Sequence, residues 1–252
     1  KNIALNQHQI IELYMIYGGI PYYLETVRKG KSVAQNIDEA CFNKSGLLYD
    51  EFENLYASLF TNHENYVKVI EALSKKNIGL NREALLENTK INDGGSFSKI
   101  LDELEASGFI RKYNYFGKSV RDALYQLVDF YSLFYFNFIK NNKQENYWSA
   151  NIDNPKHRSW SGYSFELVCL MHEKQIKKAL GIEAVQANVS SWKSKNNTQN
   201  AQIDLLFDRR DQIITICEMK YSLNTFTIDK KYAQNLRNKI SIFKQDTQTK
   251  KA

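Results

Sequence analysis

A change of period limits the folds open to this chain. Through most of the first 140 residues, apolar side chains recur at three- and four-residue intervals, which keeps them on one face of a helix. Over residues 184–189, 203–207 and 213–217 they fall instead into short strand-like runs. A chain carrying both patterns is read as multidomain α+β, with a C-terminal α/β module. Its 252 residues exceed what one ordinary core needs.

The helical part breaks into segments. Ile10, Leu13, Tyr14 and Tyr17 share one face of a first helix, which Gly18-Gly19-Ile20-Pro21 stops. A short helix over 22–28 and another over 47–60, with Phe52, Leu55, Tyr56 and Leu59 in register, complete a first region, 1–60. Residues 61–127 read as three short helices and two strands. Val67, Ile70 and Leu73 mark the first helix, and 81–90 is the second. Phe97, Ile100, Leu101 and Leu104 mark the third, with Ser96 as its N-cap. The strands are 109–113 and 123–127, turning near Gly117-Lys118. That order is the winged helix-turn-helix arrangement. Residues 128–154 hold an aromatic helix over 129–140, read as a buried connector, and a polar linker over 141–154. Residues 155–252 form the α/β module, opened by a helix over 165–178 and closed by one over 230–243.

Composition excludes several classes. With 43% hydrophobic and 25% charged residues, 2 prolines and 11 glycines, the chain can bury a core and is neither fibrous nor linker-like. Its most apolar stretch, 127–139, is interrupted by Asp129, Ser132 and Asn137 and falls short of the ~20 residues that span a bilayer. No signal peptide opens it. Cys41, Cys169 and Cys217 lie far apart in apolar or helical contexts, the pattern of reduced thiols in a cytoplasmic protein. The four histidines are scattered and no CxxC or HExxH occurs, which excludes a zinc site. Gly30-Lys31-Ser32 and Gly117-Lys118-Ser119 resemble the end of a phosphate loop. The required earlier glycine is Glu25 in one and Lys112 in the other, so neither is a nucleotide site.

Chemistry concentrates near the C terminus. Asp204 interrupts the apolar run 203–207, where a carboxylate is costly unless paired or bound to metal. The run 213–217 ends in Glu218-Met219-Lys220, whose i and i+2 side chains share a strand face. The interval between Asp204 and Glu218 suits a hairpin that sets the two carboxylates side by side. Glu166, at the start of the helix over 165–178, supplies a third. Such a set suits a hard divalent ion, Mg²⁺ or Mn²⁺, and a lysine beside it can assist an attacking water.

The order Glu166, Asp204, Glu218-Met219-Lys220 resembles the PD-(D/E)XK nuclease fold, a restriction-endonuclease-like domain. Tyr17-Gly18-Gly19-Ile20-Pro21-Tyr22-Tyr23-Leu24, the stretch from Val128 through Phe136 and Gly162-Tyr163-Ser164-Phe165-Glu166 add to it. Together with Ile203-Asp204-Leu205-Leu206 and Cys217-Glu218-Met219-Lys220, they resemble the C-terminal two thirds of the archaeal and bacterial AAA-type ATPases that carry a DUF234 nuclease-like tail. The resemblance implies that 1–60 is a helical lid remnant. It also implies that the chain is a fragment, consistent with its start at Lys1, and that ATP binds only in an N-terminal AAA-type ATPase domain of the same polypeptide. By resemblance, Asp204, Glu218 and Lys220 are the metal and catalytic positions, the Met219 carbonyl is a further ligand and Glu166 is an accessory carboxylate. The proline of the motif's name is replaced by Ile203.

DNA is the expected partner. The third winged-helix segment carries Lys99 against Asp102, Glu103 and Glu105, which disfavours it next to phosphates. The hairpin, with Arg111, Lys112, Lys118 and Arg121, is better suited. Residues 228–252 hold seven Lys/Arg against two Asp and so account for nearly all of the +6 net charge. Lys230, Lys231, Arg237 and Lys239 are the tail's candidate phosphate contacts. Two readings stand at this point: a Mg-dependent DNA endonuclease module of a larger ATPase, or a catalytically silent regulatory or protein-interaction module coupled to it.

Overall fold

In the computed structural model, which describes residues 3–119, 122–194 and 201–252, the chain is mixed α+β with two small antiparallel sheets. It forms two units, Lys1–Lys112 with Leu124–Ser164, and Tyr113–Ala123 with Phe165–Ala252.

The first unit starts with α1 (Gln7–Tyr17), capped by Asn6. Asn6 Oδ1 accepts the Gln9 N–H, and Gln9 Oε1 accepts the Asn6 N–H, both at 2.9 Å. Gly18, at φ 64°, ends the helix by donating to the Tyr14 carbonyl, as the sequence predicts, while Pro21 opens α2 (Pro21–Leu24), earlier and shorter than the helix expected over 22–28. The buried stripe differs from expectation. Leu13, Met15, Ile16 and Tyr17 are buried while Ile10 is 53% exposed, because the C-terminal half packs on two sides. A helix that periodicity did not reveal, α3 (Val33–Ile37), continues as a wider turn over Asp38–Phe42. α4 (Glu51–Leu59) buries Phe52 and Tyr56.

The next stretch contains α5 (Glu64–Ser74), α6 (Arg82–Thr89), α7 (Gly95–Ala106), β1 (Ile110–Tyr113) and β2 (Leu124–Leu127). α7 buries the expected Phe97, Ile100, Leu101 and Leu104. Its cap is Gly94 rather than Ser96, which lies inside the first turn. Arg82 secures that entry by binding Asp93 at 2.6 Å. Between α5 and α6, Leu80 exchanges both backbone hydrogen bonds with Tyr125, at 2.8 and 2.9 Å, and lays a third extended segment beside β2. Gly79 permits this approach. Its φ is +79°, and a Cβ there would sit 2.2 Å from the Tyr125 carbonyl oxygen.

α8 (Phe130–Phe134), extended by a wider turn over Tyr135–Ile139, lies at the centre of this unit. Its rings are buried, not displayed. Tyr135 stacks on Phe52 at 4.0 Å, and Phe134 and Phe138 meet Trp148 and Trp160 edge-on at 5.0–5.4 Å. Tyr131 donates to the Leu48 carbonyl, and the Tyr56 and Ser132 hydroxyls bond at 2.9 Å. The polar stretch expected to be a linker contains α9 (Tyr147–Ala150) and is held fast. Trp148 is 1% exposed, and buried Asp38 accepts the N–H groups of Trp148 and Ser149.

α10 (Pro155–Met171) contributes residues to both units, and α11 (Glu173–Ala179) follows it. In the second unit, β3 (Ala187–Lys193), β4 (Gln202–Arg209) and β5 (Ile214–Cys217) form one antiparallel sheet with β4 central. The β3–β4 register shifts between Ser190 and Trp192, and there the Ser191 carbonyl accepts the Phe116 N–H. α12 (Lys230–Thr247) covers one face, where Phe243 meets Trp192 and Phe116. Leu205, Phe207 and Met219 pack with Cys169, Leu170 and Ile176 in a second cluster. After α12, Ala252 donates to the Gln212 carbonyl and accepts from the Ile214 N–H, the bonding of one parallel bridge on the outer edge of β5.

Gly79→Ala should destabilise the first unit by about 2 kcal/mol or more, because both the left-handed backbone and the Tyr125 contact resist a side chain. Urea denaturation checks this, and a variant as stable as the parent would refute the close approach.

Candidate carboxylate site in the second unit

β4 carries Asp204 into the interior, where it is 9% exposed. The β4–β5 register pairs Leu205 with Cys217, and one step further sets Asp204 opposite Glu218. The hairpin thus places the two residues at the same end of the sheet. Asp204 Oδ2 accepts the Met219 N–H at 3.1 Å, and Oδ1 accepts from the Gln202 amide at 3.4 Å. Burial raises the Asp204 carboxyl above the usual range, the Met219 N–H opposes this, and the charge of Glu218 adds to it.

Glu218 follows the last residue of β5. Both its oxygens are held by Lys239 of α12, at 2.7 and 2.8 Å, and the Tyr232 hydroxyl donates to Oε1 at 3.3 Å. Lys220 is exposed just beyond the strand, where the two-residue alternation that would align it with Glu218 no longer operates. The lysine on Glu218 is therefore Lys239, which also lowers the Glu166 carboxyl more than Lys220 does.

Glu166 lies deep inside α10 and not at a helix start, so the contact with a helix N-terminus that its expected position would allow does not arise. Burial pushes its carboxyl up to about 7, and the charges of Asp204 and Glu218 push the same way. A set of carboxylate oxygens fits a hard divalent ion in kind. Among the described residues, however, no three His, Cys, Asp or Glu side chains are gathered as a metal-binding group. Glu218 directs its oxygens to Lys239, and Met219 meets Asp204 through its N–H.

The expected nucleic-acid contacts are scattered in role. Lys112, Lys118, Lys230, Lys231 and Arg237 are exposed. Arg111 is half-buried, with Nε donating to Gln126 at 2.7 Å. Lys239 is turned inward, and Arg121 lies outside the described residues. The sequence reading did not give Tyr232 and Lys239 their place at the site. Their seven-residue spacing, two helical turns apart on α12, was the available signal. Among the described residues no helix is long and apolar enough to cross a membrane.

No protein-family model, curated protein or solved structure matches the chain.

A carboxyl raised on folding contributes stability at low pH that is lost as pH climbs, because the folded state keeps a proton the unfolded chain has released. For Glu166 that loss runs from about pH 4.5 to about pH 7. In chelator-treated buffer, Glu166→Gln should therefore gain stability over the parent on going from pH 5 to pH 8, on the order of 1 kcal/mol after solvent screening. Thermal melts across that range measure it, and parallel pH profiles would show that Glu166 does not sense its neighbours.

Proposed function

We propose that the second unit is a PD-(D/E)XK-type, metal-dependent phosphodiesterase acting on DNA, carried by a cytoplasmic protein. The observation that supports this reading is the β4–β5 hairpin end, where the Asp204 carboxylate accepts the Met219 N–H at 3.1 Å beside Glu218. The element order is compatible with it: two helices, α10 and α11, three antiparallel strands, then α12, with Ala252 hydrogen-bonded at the edge of β5. On this reading Asp204 and Glu218, with the Met219 carbonyl, hold Mg²⁺ or Mn²⁺. Such an ion would lower the pKa of an attacking water and offset charge on the phosphate. Glu166, raised to about 7, can hold or release a proton in the neutral range, and Lys220 faces solvent where a phosphate would approach.

In the first unit, α5–α7 with β1 and β2 are assigned to a winged helix, and the Leu80–Tyr125 bridge supports this. An acidic α7 disfavours groove reading. Glu103 accepts from the Tyr66 hydroxyl and Glu105 accepts the Lys112 N–H, so both serve the fold. Lys112, in the first unit, is exposed and is its candidate phosphate contact; Lys118, in the second unit, is exposed as well. The AAA-type ATPase family with a DUF234 tail remains the proposed family, with ATP bound in a preceding domain.

A second reading has its own observation. Lys239 already neutralises Glu218, which suits a catalytically silent regulatory module.

Nicking of duplex, junction and single-stranded DNA with Mg²⁺ or Mn²⁺ separates the two. The nuclease reading expects cleavage that falls at least about 100-fold in Asp204→Asn and Lys220→Ala, with melting temperatures little changed. Cleavage undiminished in both variants would sink it. Salt-sensitive DNA binding without cleavage would favour the silent module.

A further inference from the structure

In the second unit, Ile176 of α11 and Ile182 just beyond it pack on the Leu205, Phe207 and Met219 cluster. The helix closes on Gly181, at φ 67°. The Gly181 N–H donates to the Lys178 carbonyl and the Ile182 N–H to that of Lys177, both at 3.0 Å. This turn sends the chain back along the helix, where the Val185 carbonyl accepts from Lys177 Nζ at 2.8 Å. Helix and returning chain together line a groove of about 490 Å³, whose walls are Lys174, Gln175, Lys177, Lys178 and Glu183. Three lysines therefore meet one acid there. Lys174 and Lys178 are exposed and form no ion pair or hydrogen bond among the described residues. Their placement is locally unfavourable. Like charges four residues apart on a helix repel, and Lys174 lies in the first turn, where the helix dipole disfavours a cation. Folding of α11 thus gives no return for Lys174, whereas an anion in the groove would.

We propose that the α11 groove is a phosphate-binding surface of the second unit, and that it holds the backbone of bound DNA. The proposal rests on reading DNA as the ligand, and goes beyond that reading by assigning the contact to residues outside the basic tail. Lys174 and Lys178 are the phosphate contacts. They stand about 6 Å apart along the helix axis, so their flexible stems can reach neighbouring phosphates of one strand. Lys177 is a positioning residue, fixing the opposite wall through the Val185 carbonyl. Glu183 is the charge that limits affinity. Ammonium groups are point charges without the planar fork that reads base edges, so this contact positions DNA and is independent of its sequence.

The test is binding of short, dye-labelled DNA of random sequence, duplex and single-stranded, by the whole chain. Fluorescence anisotropy is read across a NaCl series, in EDTA so that no cleavage intervenes. Lys174→Gln/Lys178→Gln should bind about tenfold more weakly than the parent. It should also flatten the slope of log affinity against log salt by about 1.4 to 1.8, the counterions released by two phosphates. Lys174→Arg/Lys178→Arg, which keeps both charges, should stay within about twofold of the parent. Glu183→Gln should bind about threefold more tightly, a gain that misfolding cannot produce. A parent-like slope in Lys174→Gln/Lys178→Gln, or an unmoved affinity in Glu183→Gln, overturns the groove and leaves DNA binding standing. The expected changes in a chain that never cleaves DNA support the groove and sink only the nuclease. Absence of DNA binding by the parent overturns both the groove and the DNA reading.

Discussion

Burial of Asp204 in the central strand is the constraint on which the second unit is built. A carboxylate without partners in an apolar interior is too costly to keep charged. Each neighbouring element brings something that reduces the cost. The β4–β5 hairpin supplies the Met219 N–H, Gln202 supplies an amide, and α12 supplies the Lys239 charge. The compensation is incomplete, since the carboxyls of Asp204 and Glu166 remain above their ordinary range. The fold therefore tolerates unrelieved repulsion at one end of its sheet while the rest of that sheet is closed by Trp192, Leu206 and Phe243 on one side and by Leu205 and Phe207 on the other.

The first unit solves a different problem, the ordering of many aromatic rings. Phe and Tyr side chains bury large areas but pack well only in offset or edge-on geometries. Here the stretch from Phe130 to Phe138 supplies the central rings, and α4, α9 and α10 supply partners. Hydroxyls in this core are matched where they bond the backbone or one another, as at Tyr131 and Tyr56. Asp38, accepting two N–H groups at the start of α9, fixes the polar stretch that composition alone would treat as loose.

What could be read in advance follows from what sequence encodes locally. The three strands, α12 and the helices at 64–106 were legible because their apolar periods are regular and their boundaries carry Gly, Asn or Asp. So was the Asp204–Glu218 pairing, which needs only strand register. Features set by packing were not. Ile10 is exposed because α1 turns a wider, shifted face inward. Ser96 is not a cap because Arg82, from another helix, holds the chain at Asp93 and Gly94. α3 ends in a wide turn that breaks the regular spacing. Glu166 reads as a helix start only until the helix is seen to begin at Pro155.

The basic tail shows why a count of charges is a poor guide to partners. Two of its lysines face inward. Lys239 binds Glu218, and Lys251 binds Asp208 at 2.6 Å and the Arg209 carbonyl at 2.9 Å. These charges cancel acids that the sheet itself introduces, so they belong to the folding of the second unit and are not available to a polyanion. Lys230, Lys231, Arg237, Lys244 and Lys250 remain exposed, the first three on the first half of α12. Lys239 lies two turns after Tyr232 on the same helix and binds Glu218, so one helix carries both the outward basic residues and the cation paired with that carboxylate. A charge that looks redundant in sequence is, at this position, the direct partner of the half-buried Glu218 carboxylate.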